Sequence, residues 1–65
     1  MESQKAYVSI VDNRDGSVEK VFACGVNIRE AQISAFNAAN QECADRNRRE
    51  GWTRFLTNRF GTVSA

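Results

Sequence analysis

The chain contains no histidine. That absence removes the commonest general base, the Ser/His and Cys/His nucleophile pairs, and mixed Cys/His zinc sites. Cysteine is scarce as well: Cys24 and Cys43 stand nineteen positions apart, with no CxxC between them. Two ligands are too few for a closed structural metal site, and the spacing is wrong for a redox motif. The four glycines, Gly16, Gly25, Gly51 and Gly61, are scattered and form no GxGxxG or P-loop pattern, so no phosphate-cradling loop is expected. Long apolar runs are missing too. The longest, Val21-Phe22-Ala23-Cys24, follows a polar start, Met1-Glu2-Ser3-Gln4-Lys5, which leaves neither a signal peptide nor a membrane span to be expected. With no NxS/T sequon and one possible cysteine pair, the expected compartment is a reducing cytoplasm. In a secreted chain, Cys24–Cys43 would be the sole possible disulfide.

Of 65 residues, 27 are hydrophobic, and 8 of those are alanines. A single domain over residues 1–65 follows, because a chain this short buries roughly 60% of its unfolded surface and its core supplies about 3–5 kcal/mol. At that size a second copy of the chain is a natural source of further burial. The net charge is only +1, which disfavours a bulk electrostatic nucleic-acid binder. The charge is uneven, however: residues 1–33 hold four cations against five anions, and residues 34–65 hold five against three. Seven of the nine cations are arginine, the type suited to planar, bidentate contacts.

Ala6 to Asp12 is rich in β-branched residues and too short for a helix, so it reads as a strand. The turn Asp12-Asn13-Arg14-Asp15-Gly16 leads into a second strand from Ser17 to Cys24, giving a hairpin over 6–24. Alternation places Ala6, Val8 and Ile10 on one face and Tyr7 and Val11 on the other. The second strand likewise separates Val18 and Phe22 from Val21 and Ala23. Both hairpin faces are thus partly apolar, and one helix can cover only one of them. Asn27 followed by Glu30 resembles a capping box and starts a helix at Ile28, while Gly51 after Arg48-Arg49-Glu50 ends it. Within helix 28–50, a turn of about 100° per residue gathers Ile28, Ala31, Ala35, Phe36, Ala39 and Cys43 into an expected core stripe. Residues 52–60 read as a third strand or an extended arm, and the ends 1–4 and 61–65 as flexible. The expected class is α+β: a small ββαβ domain, an antiparallel sheet with one long helix packed across it.

A hairpin followed by an alanine-rich helix is also the second half of a double-stranded-RNA-binding domain. That family places a lysine pair at the helix start, where this chain has Asn27-Ile28-Arg29-Glu30, and the preceding helix and strand have no counterpart here.

Two surfaces remain as candidate sites. Ile33, Asn37, Asn40, Ala44 and Arg48 recur at spacings of four, three, four and four on the helix side away from the core. Exposed helix faces ordinarily carry Glu and Lys, so this low-charge stripe is expected to contact another protein or a second copy, with the asparagines fixing register. The alternative site is Arg46, Arg49, Trp52, Arg54, Phe55 and Arg59, where rings interleave with guanidinium groups as on a single-stranded nucleic-acid surface. The carboxylates fall in turns, caps and exposed helix positions, and one helix encloses no pocket of catalytic size. The expected function is a non-catalytic interaction module acting as a homodimer, which binds and blocks a larger host protein in the manner of a phage or mobile-element inhibitor or adaptor. No cofactor, metal, membrane or small-molecule substrate is expected.

Overall fold

Two antiparallel strands and one long helix form an α+β arrangement in the computed structural model, which describes residues 3–51 in full and, over 54–64, the course of the backbone. Strand β1 covers Gln4–Asp12 and β2 covers Val18–Gly25. β1 therefore begins inside the stretch expected to be loose. The pairing sets Tyr7 opposite Phe22, Val8 opposite Val21 and Ile10 opposite Glu19, so the alternation read from the sequence sorts the side chains as expected. Between the strands the turn is closed by the chain's own polar groups. The Gly16 N–H donates to the Asp12 carbonyl at 2.9 Å, and the backbone N–H groups of Arg14 and Ser17 donate to the carboxylates of Asp12 and Asp15. The Ser17 N–H bond holds the exposed Asp15 carboxyl below its ordinary range.

Helix α1 spans Ile28–Glu50, the range its end signals specify. The Asn27 side chain accepts a hydrogen bond from the Glu30 N–H at 2.9 Å. At the other end Gly51 turns into the left-handed region, φ 71°, and its N–H returns to the Asn47 carbonyl. These contacts satisfy backbone groups that a helix end otherwise leaves without partners. Past Gly51 the backbone of Arg54–Ser64 is again extended.

The core lies between the inner face of the hairpin and one narrow seam of α1. Val8 and Ile10 meet Ala35, Ala39 and Cys43, with Val21 and Ala23 packed against them. Ala31 is buried as well. Every seam residue is small and sits four positions from the next, which lets the helix axis approach the sheet closely. Two expected core residues are displaced by that closeness. Ile28 is 37% exposed and Phe36 36% exposed, because with the alanine row seated on the strands the bulkier side chains are rotated to the rim.

The cysteines part company in the same way. Cys24 is exposed and Cys43 is buried, and among the described residues neither is in a disulfide. One equivalent of iodoacetamide is expected to react with the native protein, at Cys24, and a second only in denaturant. Mass spectrometry of the alkylated peptides checks this, and fast native labelling of Cys43 would contradict the packing described.

Candidate functional site

The outer face of α1 is where the first candidate site falls, and each expected member of it, Ile33, Asn37, Asn40, Ala44 and Arg48, is exposed. Ile33 is the most conspicuous, with 52% of its surface exposed. Beside it, Phe36 joins this face instead of the core, an assignment the sequence missed because a ring one position after a seam alanine fits either side. Ile33 and Phe36 line a shallow open hollow of about 300 Å3 together with Arg29 and Gln32. On its other flank Ile33 borders a second open hollow with Cys24, Gly25, Val26, Glu30 and Ser34. The exposed Val26 thus lies across this second hollow from Ile33. A patch of three apolar side chains, Val26, Ile33 and Phe36, is the result, continued toward the helix C-terminus by Asn37, Asn40 and Ala44.

Two ion pairs lie within α1. Arg48 donates to the Asp45 carboxylate at 2.7 Å, and Gln41 donates to the same oxygen at 3.2 Å. Arg46 donates through Nε to Glu42 at 2.7 Å. That bond, helped by the charges of Glu42, Glu19 and Glu50, holds the Arg46 guanidinium above its ordinary value. Such i,i+3 and i,i+4 pairs near the surface support a helix only modestly.

The alternative nucleic-acid set is only partly in view. Arg46 is engaged by Glu42, and Arg49 is exposed. Trp52 lies outside the described residues, and so do the side chains of Arg54, Phe55 and Arg59.

The opposite side of the molecule carries a second cluster, one that neither candidate set includes. Tyr7 and Phe22, cross-strand partners on the outer hairpin face, have ring centroids 5.4 Å apart at 52°. The Lys5 ammonium stands 5.7 Å from the Phe22 centroid and the Lys20 ammonium 4.8 Å from that of Tyr7. Cation–π contacts at exposed sites are worth about 0.5–1 kcal/mol.

Chemically, three of the described carboxylates are occupied with structure: Asp12 pairs with Arg14, Glu42 with Arg46 and Asp45 with Arg48. Among the described residues no group of three His, Cys, Asp or Glu side chains could hold a metal ion, and no helix is long and apolar enough to cross a membrane. Comparison with protein-family models, with characterised proteins and with solved structures finds no match to this chain.

Proposed function

We propose that the protein is a non-catalytic protein-interaction module that pairs with a second copy of itself through the outer face of α1, and that it serves as an adaptor or inhibitor of a larger protein. The observation that carries this reading is the low-charge face itself, with Ile33 and Phe36 exposed and its one charge, Arg48, paired with Asp45. Its chemistry is self-complementary. An antiparallel partner helix, related by a two-fold axis midway between Asn37 and Asn40, sets Ile33 against the partner's Ala44 and Asn37 against the partner's Asn40. Large thereby meets small, and amide meets amide, which fixes register. The same symmetry brings Arg48 toward the partner's Arg29, and its ion pair with Asp45 offsets that like-charge approach.

A ββαβ architecture belongs to the same proposal, with Arg54–Ser64 as β3 on the free edge of β1. Two observations support it. β1 has the burial of an inner strand, with Ala6, Val8 and Ile10 inaccessible and Ser9 and Asp12 nearly so, whereas β2 is largely exposed. The backbone of Arg54–Ser64 also runs antiparallel to β1, Gln4 opposite Ser64 and Val11 opposite Phe55, with an irregularity between Val8 and Ile10. The sheet order is then β2-β1-β3.

Light scattering at low and high salt tests the pairing. The wild-type chain is expected at twice its 7.3 kDa mass, with little response to salt, because an apolar contact is not screened. Ile33→Asp combined with Ala44→Glu is expected to give a folded monomer, with the helical circular-dichroism signal retained. A wild-type monomer, or a double variant whose mass is unchanged, overturns the reading.

A further inference from the structure

We propose that the outer face of the hairpin binds single-stranded nucleic acid. This face is distinct from the α1 surface, since α1 covers the opposite side of the same two strands. Alternation along β1 and β2 turns Lys5, Tyr7, Ser9 and Val11 outward, together with their partners Cys24, Phe22, Lys20 and Val18. No acidic residue occupies any of these positions. Glu19 faces the helix side, where its charge reaches Arg46, and residues 51–65 contain two arginines and no Asp or Glu. The outward face is therefore purely cationic in a chain whose net charge is only +1.

Charge alone would suit any anion, and the rings narrow the choice. Two aromatic side chains on adjacent strands, 5.4 Å apart and each approached by an ammonium group, form a row in which Lys5 and Lys20 flank the Phe22–Tyr7 ring pair. Phe22 is 48% exposed. A ligand with flat, electron-poor rings linked by anionic groups fits such a row. Its bases stack where the ammonium groups now stand over the rings, and the freed lysines turn on their flexible stems to the phosphates. Unpaired nucleotides meet this description, because their bases are free to splay onto a sheet, whereas those of a duplex are stacked on one another. An acidic peptide satisfies the lysines and leaves the rings without a partner, so it is the competing outcome.

The test is fluorescence anisotropy of a labelled oligothymidylate of about 15 nucleotides, titrated with the whole chain at several salt concentrations. Binding is expected at low salt and is expected to weaken as salt rises, with a log–log slope of about −1.4 for two phosphate contacts. Lys5→Gln with Lys20→Gln is expected to flatten that slope, and Phe22→Ala to weaken binding by about tenfold, the equivalent of one lost stacking contact. A duplex of the same length should bind more weakly. Circular dichroism confirms that each variant is folded, and the lysine pair keeps the test decisive if Phe22→Ala is not. The Ile33→Asp, Ala44→Glu variant is expected to keep its affinity per chain, which separates this site from the pairing of helices. No binding at low salt overturns the proposal. So does binding that ignores both the lysine and the phenylalanine variants, or that a polyglutamate peptide displaces as well as unlabelled oligonucleotide does.

Discussion

Ile10→Ala is expected to leave the chain largely unfolded at room temperature. Ile10 has no accessible surface, and with Val8 it is one of the two largest fully buried side chains among the described residues. Around it the helix presents alanines and Cys43. Small neighbours have no long side chain to swing into a hole, so the cavity left by the missing carbons stays open and the cost falls at the upper part of about 2–5 kcal/mol. A domain of this size has about 3–5 kcal/mol to lose. Urea titration followed by circular dichroism measures the effect, at one fixed protein concentration, because pairing of copies would stabilise the fold by mass action. Val18→Ala is the control: at 62% exposure it should shift stability by about 0.5 kcal/mol or less. Equal midpoints for Ile10→Ala and wild type would mean that the core does not lie between β1 and α1.

The parts of this fold that are legible in the sequence are those set by local chemistry. Helix α1 begins and ends where its signals stand because Asn27 and Gly51 act on backbone groups three and four residues away, and no distant contact is needed to read them. The hairpin is legible for a similar reason. Asp12, Asp15 and Gly16 close their own turn, and a period of two then sorts the strand residues into faces.

Rotation of the helix about its axis is harder to read. The expected stripe and the observed seam share Ala31, Ala35, Ala39 and Cys43, but Ile28 and Phe36 fall outside the seam. Hydrophobicity alone pulls the expected face toward the largest apolar residues, whereas in the folded chain closeness of approach selects the smallest ones. The gain from seating a row of alanines on Val8 and Ile10 outweighs the cost of leaving part of one ring in water. Of the candidate sites, the exposure of Ile33 and the two asparagines follows from helical periodicity. The Lys5, Phe22, Tyr7 and Lys20 row does not, because it depends on the register between β1 and β2, which places Tyr7 directly opposite Phe22. One residue of slip would send one ring of the pair to the opposite face of the sheet.

Gly25→Ala is expected to be as damaging as a deletion in the core, although Gly25 has no side chain to lose and its backbone needs no left-handed conformation. A β-carbon at this position would stand 2.5 Å from the backbone nitrogen of Ala31 and 2.8 Å from the carbonyl carbon of Glu30. Both belong to the first turn of α1, just after the Asn27 cap. The chain leaves β2 and enters the helix within a few residues, so the strand end and the first turn touch backbone to backbone. Neither can retreat without moving Ala31 off the sheet or breaking the cap. Overpacking of this kind costs about 1–3 kcal/mol, and backbone atoms yield less readily than a flexible side chain, which puts the expected value near the top of that range. For a domain of this length it corresponds to a fall in Tm of about 10–20 °C. Gly16→Ala separates space from conformation. Gly16 has φ +75°, and a β-carbon there would meet nothing within 4 Å, so its substitution carries only the left-handed penalty of about 1–2 kcal/mol. Thermal melts of the two variants are expected to rank Gly25→Ala below Gly16→Ala. The reverse order would show that β2 and α1 do not meet at this point, and that the helix lies farther from the sheet than its alanine seam requires.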